Sequence, residues 1–485
     1  MQDSHCKLII ENAFKKYWGV IIACIITPVL LYAVLQILPT HDDWTSLTTP
    51  DFRPFFIKER FLFYGYHWRP FDSIIGYIAG RNPQLLFPAF NHLLVIAGHL
   101  LCTITIYKLL SVLGFSQFSK NITTLCFFVL PATMATVTAV DSQNQVFALT
   151  CDMIAFLLYI KMKQGKYVVW IILIFLATLF KENGLMWALI CPILAFGFDF
   201  IDQKTLKKDL LIGIGIMILY MLAIVIMPKE IIIHPEYEPG VMKVVSNVVK
   251  FIFSTFITID YIYLLHAPNR QLIWAVVSLL MTLPFCYFVW LKNWRSMIEK
   301  KMLCIFISML IAVGPHLITT FSMMHTYAGL SLLMIIIAYG IDNCQQSIKH
   351  ITTAFILFLT ASLTIDAHLI HESIKSGLVG KKMAQEAIRK TGKPIKSAYI
   401  IIIEDDYPKL SSFCVIPNEA FGWGIAAQYE TNYQWPEVIK DTTIERSNDA
   451  TKNVKILTEH ILQKKQANSI WIINHKKVDV INYHE

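Results

Sequence analysis

Long apolar runs recur along this chain and constrain its fold more than any other feature. A helix of about 20 apolar residues crosses a hydrocarbon core of about 30 Å. Hydrophobic residues make up 55% of the 485 residues and charged residues only 16%, whereas soluble domains are about 25% charged. The sequence therefore predicts a polytopic α-helical membrane protein and excludes a disordered chain, a coiled coil and a collagen.

The runs predict about eleven membrane-spanning helices. They lie near residues 17–38, 88–112, 121–140, 146–162, 167–180, 185–201, 209–227, 272–291, 302–320, 326–342 and 350–368. The fifth and sixth runs are short, at about 14 and 17 residues, for a crossing that needs about 20.

The formal net charge of +8 indicates membrane orientation and not nucleic-acid binding, because the basic residues do not gather on one face. Small basic clusters lie between the apolar runs, at Lys15 and Lys16, at Lys161, Lys163 and Lys166, at Lys204, Lys207 and Lys208, and at Lys292, Arg295, Lys300 and Lys301. With a cytoplasmic N-terminus, all of these clusters fall on the cytoplasmic side, as the positive-inside rule requires. The odd number of spans then places the C-terminal tail outside.

Two extramembrane segments divide the chain into a membrane module over 1–370, with a long first external loop at 39–87, and a tail over 371–485. The loop is rich in aromatic residues, which is typical of segments that lie at the membrane interface. In the tail, 397–403 and 469–474 are β-rich and 453–465 has the apolar spacing of a helix. The tail is therefore predicted to be a small external α/β domain.

The first candidate site residues are Asp42 and Asp43, in the sequence His41-Asp42-Asp43-Trp44 after the first span. Interfacial anchors are aromatic or basic, so anchoring does not explain two adjacent carboxylates. A partly desolvated carboxylate there is suited to deprotonate an acceptor hydroxyl. The alternative is an ordinary helix-capping Asp with a solvated neighbour.

Two further motifs carry basic side chains suited to a phosphate. In His67-Trp68-Arg69-Pro70, the planar guanidinium of Arg69 can bind phosphate oxygens bidentately; binding of lipid headgroups or pairing with Asp72 is the alternative. Lys181-Glu182 lies at a polar break between the two short runs, a place where membrane proteins build ligand sites. An external turn with an internal Lys–Glu pair is the alternative there.

Other polar groups give weaker signals. The turn Asp141-Ser142-Gln143-Asn144-Gln145 suits hydroxyl-rich groups or a metal, but a plain hairpin turn is the favoured interpretation. His325 belongs to an external connection between helices and is a candidate substrate contact, or else a packed histidine. No HExxH motif, CxxC pair, Walker loop or GxGxxG that opens a helix is present, which excludes zincin, metal-finger, ATPase and dinucleotide-binding classes.

Taken together, the acidic pair after the first span, Arg69-Pro70 in the first loop and Lys181-Glu182 after the fifth span resemble the GT-C superfamily of polytopic glycosyltransferases. More narrowly, the chain is similar to the phage-type bacterial O-antigen glucosyltransferases. The resemblance covers 17–230. The GT-C resemblance implies a multi-pass protein of the bacterial inner membrane whose active site and tail are periplasmic.

The resemblance further implies inverting transfer of a sugar, with glucose expected, from undecaprenyl phosphate to lipopolysaccharide O-antigen. An acidic residue of the first loop would be the base; both Asp42 and Asp43 match, and we favour Asp43. Arg69, Lys181, Glu182 and His67 would contact the donor phosphate. Trp44, Trp68 and His325 would contact the glycan or glycolipid acceptor or the sugar. Some relatives use a divalent cation and others use basic side chains; the sequence leaves both open.

Two other functions remain open at this stage. A transporter or flippase of polyprenyl-linked glycans would need ionisable residues deep within several spans, and Asp152 and Asp366 are the main candidates. An O-antigen polymerase or ligase would also act on polyprenyl-linked glycans at the outer face, but with an oligosaccharide diphosphate as donor.

Overall fold

The structure is a computed structural model that describes residues 2–40, 43, 63–64, 67–81, 83–226, 240–256, 269–291, 299–318, 321–344, 346–395, 397–404, 417–430, 437–445, 447 and 449–482. Most of these residues are helical, and each predicted apolar run lies mainly within helical structure. The helices up to the polar break are α1 (Gln2–Val34), α2 (Pro70–Arg81), α3 (Pro83–Leu86), α4 (Ala89–Val112), α5 (Gln117–Val129), α6 (Pro131–Val137), α7 (Gln143–Lys161) and α8 (Lys166–Phe180). In the first loop, β1 (Phe63–Tyr64) and β2 (His67–Trp68) form an antiparallel pair.

The later membrane part contains a 3-10 turn at Glu182–Met186, then α9 (Trp187–Gly197), α10 (Gln203–Ile226), α11 (Val241–Phe256), α12 (Asn269–Cys286), α13 (Lys300–Ile318), α14 (Tyr327–Asp342) and α15 (Ile348–Thr391). Over the described residues, seven helices are long and apolar enough to cross a membrane, or eight if α5 and α6 count as one bent span. This confirms a multi-pass helical protein. The predicted number of about eleven is not reached by length and composition, because α8 and the helical segment Glu182–Gly197 are shorter apolar helices and α10 is not among the candidate spans.

The bend between α5 and α6 has a clear cause at Leu130-Pro131. Proline lacks the N–H that would continue the helix and disfavours a helical conformation at the preceding residue. Leu130 is accordingly extended, with ψ of 124°, and the two helices diverge by 52°. The bend directs the buried segment that follows α6 toward the end of α1.

The tail forms the predicted small sheet. Its elements are β3 (Ser397–Ile403), α16 (Pro417–Ala420), α17 (Ile425–Glu430), β4 (Glu437–Ile444), α18 (Ala450–Gln463), β5 (Ser469–Asn474) and β6 (Lys477–Asn482). The strand order is β4-β3-β5-β6, in which β3 is parallel to both β4 and β5, and β6 is antiparallel to β5. The β-rich runs 397–403 and 469–474 are thus confirmed as strands, and α18 covers most of the predicted helix.

Helix α15 connects the two parts of the chain without a break at 370/371, where the sequence predicts a boundary. Its C-terminal half packs through Met383, Ala384 and Ala387 against one face of the tail sheet. The same apolar cluster includes Ala79 and Phe87 of the first loop and Val140 after α6. The tail is therefore packed against the first loop and the segment after α6.

A second contact strengthens this packing. The Tyr429 hydroxyl of α17 donates a hydrogen bond of 3.0 Å to the Phe87 carbonyl, and the two rings meet edge to face at 6.2 Å between centroids. Two glycines of α15 allow close backbone approach. A Cβ atom at Gly377 would lie 2.8 Å from the Leu38 carbonyl oxygen, and one at Gly380 would lie 2.0 Å from the Ala420 carbonyl oxygen.

Candidate active site

Asp43 is held in a tight turn just after α1 and is only 7% exposed. Its Oδ2 accepts a hydrogen bond of 3.0 Å from the backbone amide of Thr40, three residues earlier in the chain. Its Oδ1 accepts a second bond of 2.8 Å from the backbone amide of Val140, 97 residues away. The second bond ties the turn after α1 to the segment after α6.

The polar turn Asp141–Gln145 lines the same region and is not a plain hairpin turn. The side-chain amides of Gln143 and Asn144 donate hydrogen bonds of 3.0 Å and 2.7 Å to the two carboxylate oxygens of Asp72. Both amide side chains are buried. Sequence reasoning missed Asp72 and undervalued this turn, although five successive polar residues between two apolar runs were the available signal.

Arg69 and Glu182 form a bidentate ion pair between the first loop and the polar break after α8. Arg69 Nε donates to Glu182 Oε2 at 2.8 Å, and Arg69 Nη2 donates to Glu182 Oε1 at 2.6 Å. The two side chains are 23% and 28% exposed. Glu182 thus orients Arg69, so neither the Arg69–Asp72 pair nor the local Lys181–Glu182 pair that the sequence left open is formed.

Lys181 is the buried cation of the site. Helix α8 ends at Phe180, and Lys181 is extended, with φ of −153° and ψ of 133°, which turns its side chain away from the helix. It is 4% exposed. With the Gln145 side-chain amide oriented to satisfy both of its neighbours, its oxygen accepts a hydrogen bond of 3.1 Å from Lys181 Nζ and its nitrogen donates one of 2.7 Å to the Met324 carbonyl. No carboxylate within the described ranges lies at ion-pair distance from Lys181.

Burial dominates the electrostatics of these side chains, which lie outside the spans. Burial, and after it the nearby positive charge of Arg69, lower the pKa of Lys181 to about 8, against the opposing effect of Glu182, Asp141 and Asp72. Burial also raises the pKa of Asp72 to about 6, although Arg69 and the Asn144 hydrogen bond oppose this. For Arg69, burial opposes protonation, but Glu182 more than compensates and the pKa is raised.

Aromatic packing holds the elements that carry these charges. Phe180, the last residue of α8, packs against Phe71 of α2 at 4.6 Å and against Phe147 of α7 at 5.5 Å between ring centroids. Arg69 and Asp72 flank Phe71 in the sequence, and Lys181 follows Phe180. The three-ring contact therefore fixes the distance between the acidic and basic groups of α2 and α8.

The structure describes the remaining predicted site residues to different extents. His325 stacks on His316 at 4.0 Å between ring centroids and adjoins Met324, the partner of Gln145, so it lies beside the site. For His67 and Trp68 the backbone alone is described, in β2. Asp42 and Trp44 lie outside the described residues. All of these assignments stay predictions.

The described part of the site holds the basic side chains of Arg69 and Lys181. Among the residues that the structure describes, no group of three or more His, Cys, Asp or Glu has the arrangement of a metal site. Both oxygens of Asp72 and both of Glu182 are engaged by protein donors. The donor set near Lys181 therefore fits an anion better than it fits a divalent cation.

No protein-family model matches this chain, and no curated protein matches it. Among solved structures, ArnT from Cupriavidus metallidurans bound to undecaprenyl phosphate has 11% identity and a TM-score of 0.49, over 95% of this chain and 97% of that one. The Archaeoglobus fulgidus oligosaccharyltransferase in complex with Zn and sulfate has 13% identity and a TM-score of 0.49, over 94% and 67%. AglB from the same organism, in complex with an inhibitory peptide and a dolichol-phosphate, has 12% identity and a TM-score of 0.48, over 95% and 70%.

Proposed function

We propose that this protein is an inverting glycosyltransferase that moves a sugar from a polyprenyl-phosphate carrier to a glycan or glycolipid acceptor. One observation carries the proposal. The single segment Val140–Gln145 contacts the buried carboxylate of Asp43 at one end and the buried ammonium of Lys181 at the other. An acid–base group and a cation suited to a phosphate are thereby fixed to one rigid element, which is the arrangement that transfer from a sugar phosphate requires.

The chemistry follows from these two groups. The Asp43 carboxylate accepts the proton of the acceptor hydroxyl while that oxygen forms a bond to the anomeric carbon. The bond from the anomeric carbon to the phosphate oxygen breaks, and its electron pair leaves with the polyprenyl phosphate. Lys181 stabilises the charge that develops on this leaving group, and Arg69, oriented by Glu182, supports it. Attack from the side opposite the phosphate inverts the anomeric centre.

The remaining parts of the proposal concern partners and location. We assign undecaprenyl-phosphate glucose as donor and lipopolysaccharide O-antigen as acceptor, with the site on the periplasmic side of the bacterial inner membrane. The placement of the site outside is supported by the basic clusters, which lie at the opposite ends of α1, α7 and α8. We assign His67 to the donor phosphate, and Trp44, Trp68 and His325 to the sugar and acceptor.

The test is transfer by membranes that carry the protein, supplied with defined polyprenyl-phosphate monosaccharides and an O-antigen acceptor, with the product read by mass spectrometry. We expect a product one hexose heavier than the acceptor. Asp43→Asn should lower the rate by about 10²-fold to 10⁴-fold, the contribution of general base catalysis. A product that forms at the same rate with Asp43→Asn would contradict the role of Asp43.

The matched control is Asp199→Asn. Asp199 is exposed and pairs with Lys300 at the far end of the bundle, and such surface pairs contribute little to stability. Its transfer rate should equal that of the unaltered protein. Because Asp43→Asn also disturbs two backbone contacts, thermal unfolding of both variants must be compared, so that loss of the fold is not mistaken for loss of the base.

One observation favours a transporter as the second candidate. Asp152 of α7 and Asp366 of α15 are 2% and 6% exposed within candidate spans, and the Oδ1 atom of each accepts no hydrogen bond within the part of the chain described. Intramembrane carboxylates often mark ion or substrate pathways. Translocation of a sugar lipid without a modified glycan would favour this candidate, and consumption of an oligosaccharide diphosphate would favour a polymerase or ligase.

A further inference from the structure

A basic pocket lies at the end of the helical bundle opposite the candidate active site. It has a volume of about 280 Å³, and its lining includes Lys16, Lys108, Lys120, Lys161, Tyr107 and Ser111. Lys16 lies near the middle of α1, close to the start of its apolar part Ala13–Val34, and Lys120 lies near the start of α5, whereas Lys108 and Lys161 are near the ends of α4 and α7. The pocket therefore collects charged residues from four membrane helices.

Helix length places this pocket at the other membrane surface. Helix α7 begins at Gln143, beside the candidate site, and ends at Lys161, in the pocket wall. Its 19 residues extend for about 28 Å at 1.5 Å per residue, close to the hydrocarbon thickness of about 30 Å. When the candidate site faces one headgroup layer, the pocket therefore faces the other.

The pocket wall is shaped by an irregularity in α1. Tyr17 is not helical, with φ of −127° and ψ of 19°, and the preceding carbonyl of Lys16 is bound by other helices. The Lys16 carbonyl accepts hydrogen bonds from the Tyr107 hydroxyl at 2.8 Å, from Asn121 Nδ2 at 3.2 Å and from the side-chain amide of Gln117. Partners on α4 and α5 thus hold the kink, and the wall is formed without a ligand.

The adjacent packing keeps α1 in this position. The Gly19 amide donates a hydrogen bond of 2.9 Å to Asn121 Oδ1, and a Cβ atom at Gly19 would lie 2.3 Å from the Asn121 carbonyl oxygen. The rings of Tyr17 and Tyr107 pack at 5.4 Å between centroids. The irregular turn is therefore part of a tight interface between α1, α4 and α5.

The charge of the pocket is not balanced by protein carboxylates. Throughout the ranges that the structure describes, none of the four lysines forms an ion pair. Lys16 and Lys120 instead lie over the rings of Tyr17 and Tyr107, at 5.2 Å and 5.6 Å from the centroids. Four lysines line this one pocket, and a bound anion would relieve the repulsion between their like charges.

We propose that this pocket binds the phosphate of a mono- or diester, with ammonium groups from Lys16, Lys108, Lys120 and Lys161 around it and the Ser111 hydroxyl as a further donor. Basic pockets between membrane helices suit phospholipid headgroups. The site is separate from the proposed transfer site and does not depend on it.

The experiment titrates the purified full-length protein with phosphatidylglycerol and counts retained lipids by native mass spectrometry. The test variant is Lys16→Gln with Lys120→Gln. Juxtamembrane lysines contribute about 1 kcal/mol each to anionic lipid binding, so the loss of two should weaken the tightest lipid-binding step about 30-fold, at about 1.4 kcal/mol per tenfold. The control variant is Lys204→Gln with Lys207→Gln, which removes two exposed lysines at the same end of the bundle but outside the pocket.

Three outcomes decide whether the pocket binds a phosphate. A loss in the pocket variant but not in the control supports the proposal with a lipid as the source of the phosphate. A second outcome is that inorganic phosphate stabilises the protein against thermal unfolding. If only the pocket variant loses this stabilisation, and lipid retention is unchanged, the result supports the same site with free phosphate as its ligand. Equal behaviour of the two variants toward both probes overturns the proposal.

Discussion

The ammonium of Lys181 is buried next to a neutral amide, and among the described residues no carboxylate lies at ion-pair distance from it. A buried cation is costly unless something compensates it, which is consistent with a site kept for an anionic ligand. Its pKa of about 8 means that the charge is present below pH 8 and is lost as the pH rises further. The affinity for the donor should fall over the same interval.

We expect the KM for the donor to rise about tenfold per pH unit above pH 8 in the unaltered protein, the slope for loss of one proton. Lys181→Arg should abolish this rise, because a guanidinium stays protonated, and Lys181→Met should bind the donor weakly at every pH. Donor binding measured from pH 6.5 to pH 9.5 gives the comparison. An unchanged alkaline rise in Lys181→Arg would assign the titration to another group.

A second residue-scale prediction concerns the Asn144–Asp72 hydrogen bond. Burial raises the pKa of Asp72 to about 6, above its ordinary value of 3.8, so its contribution to stability is complete below 3.8 and is lost as the pH rises through 6. The Asn144 bond favours the charged form and limits this loss. Asn144→Ala should therefore destabilise the fold by about 1 to 3 kcal/mol, and by more at pH 8 than at pH 5.

Thermal unfolding at the two pH values measures this difference. The control is Asn343→Ala, because the Asn343 amide donates to the neutral carbonyl of Tyr339 and its loss should not depend on pH. If Asn144→Ala destabilised the protein equally at pH 5 and pH 8, Asp72 would not be the titrating group.

At the scale of elements, the sequence predicts helices well and contacts poorly. The apolar runs give the positions of the membrane helices because burial in lipid imposes both length and composition. The polar break at Lys181 is predictable for the same reason, since it separates two short apolar runs. The tail strands follow from runs of β-branched residues bounded by polar ones.

The contacts of the candidate site, by contrast, do not follow from the sequence. Arg69 pairs with Glu182, 113 residues away, and Asp43 binds the amide of Val140, 97 residues away. Several carboxylates lie in the same external region, and the choice between Asp72 and Glu182 as the partner of Arg69 depends on where the rings of Phe71 and Phe180 pack. Periodicity and composition carry no information on that choice, so the sequence left the pairing open.

At the scale of the whole molecule, α15 links the tail to the candidate active site. Gly380 contacts the backbone of Ala420 in the tail, Gly377 contacts Leu38 just before the Asp43 turn, and Val140 belongs to the same apolar cluster as the tail sheet. Displacement of the tail should therefore disturb both backbone partners that orient the Asp43 carboxylate.

Gly380→Ala tests this connection. Alanine normally favours a helix over glycine by about 1 kcal/mol, but a Cβ atom here would lie 2.0 Å from the Ala420 carbonyl oxygen, and such overpacking costs about 1 to 3 kcal/mol. We expect a lower melting temperature and a lower kcat with little change in the KM for the donor. Transfer kinetics and thermal unfolding measure both effects.

The control is Gly215→Ala in α10, where a Cβ atom meets nothing within 4 Å. This variant should be as stable as the unaltered protein or slightly more so, with unchanged kcat. A kcat for Gly380→Ala equal to that of the control would show that the tail does not influence the site.

The shortness of α8 has a consequence for the surrounding lipid. Its 15 residues extend for only about 22 Å, several ångströms less than the hydrocarbon core of about 30 Å. Such hydrophobic mismatch is relieved by local thinning of the bilayer and by long cationic side chains that reach the interface, for which Lys166 at the start of α8 is placed. Under the proposed function, the lipid surface beside Lys181 would be dimpled inward, and a carrier lipid would bring its phosphate to the ammonium while its isoprenoid chain stays in hydrocarbon.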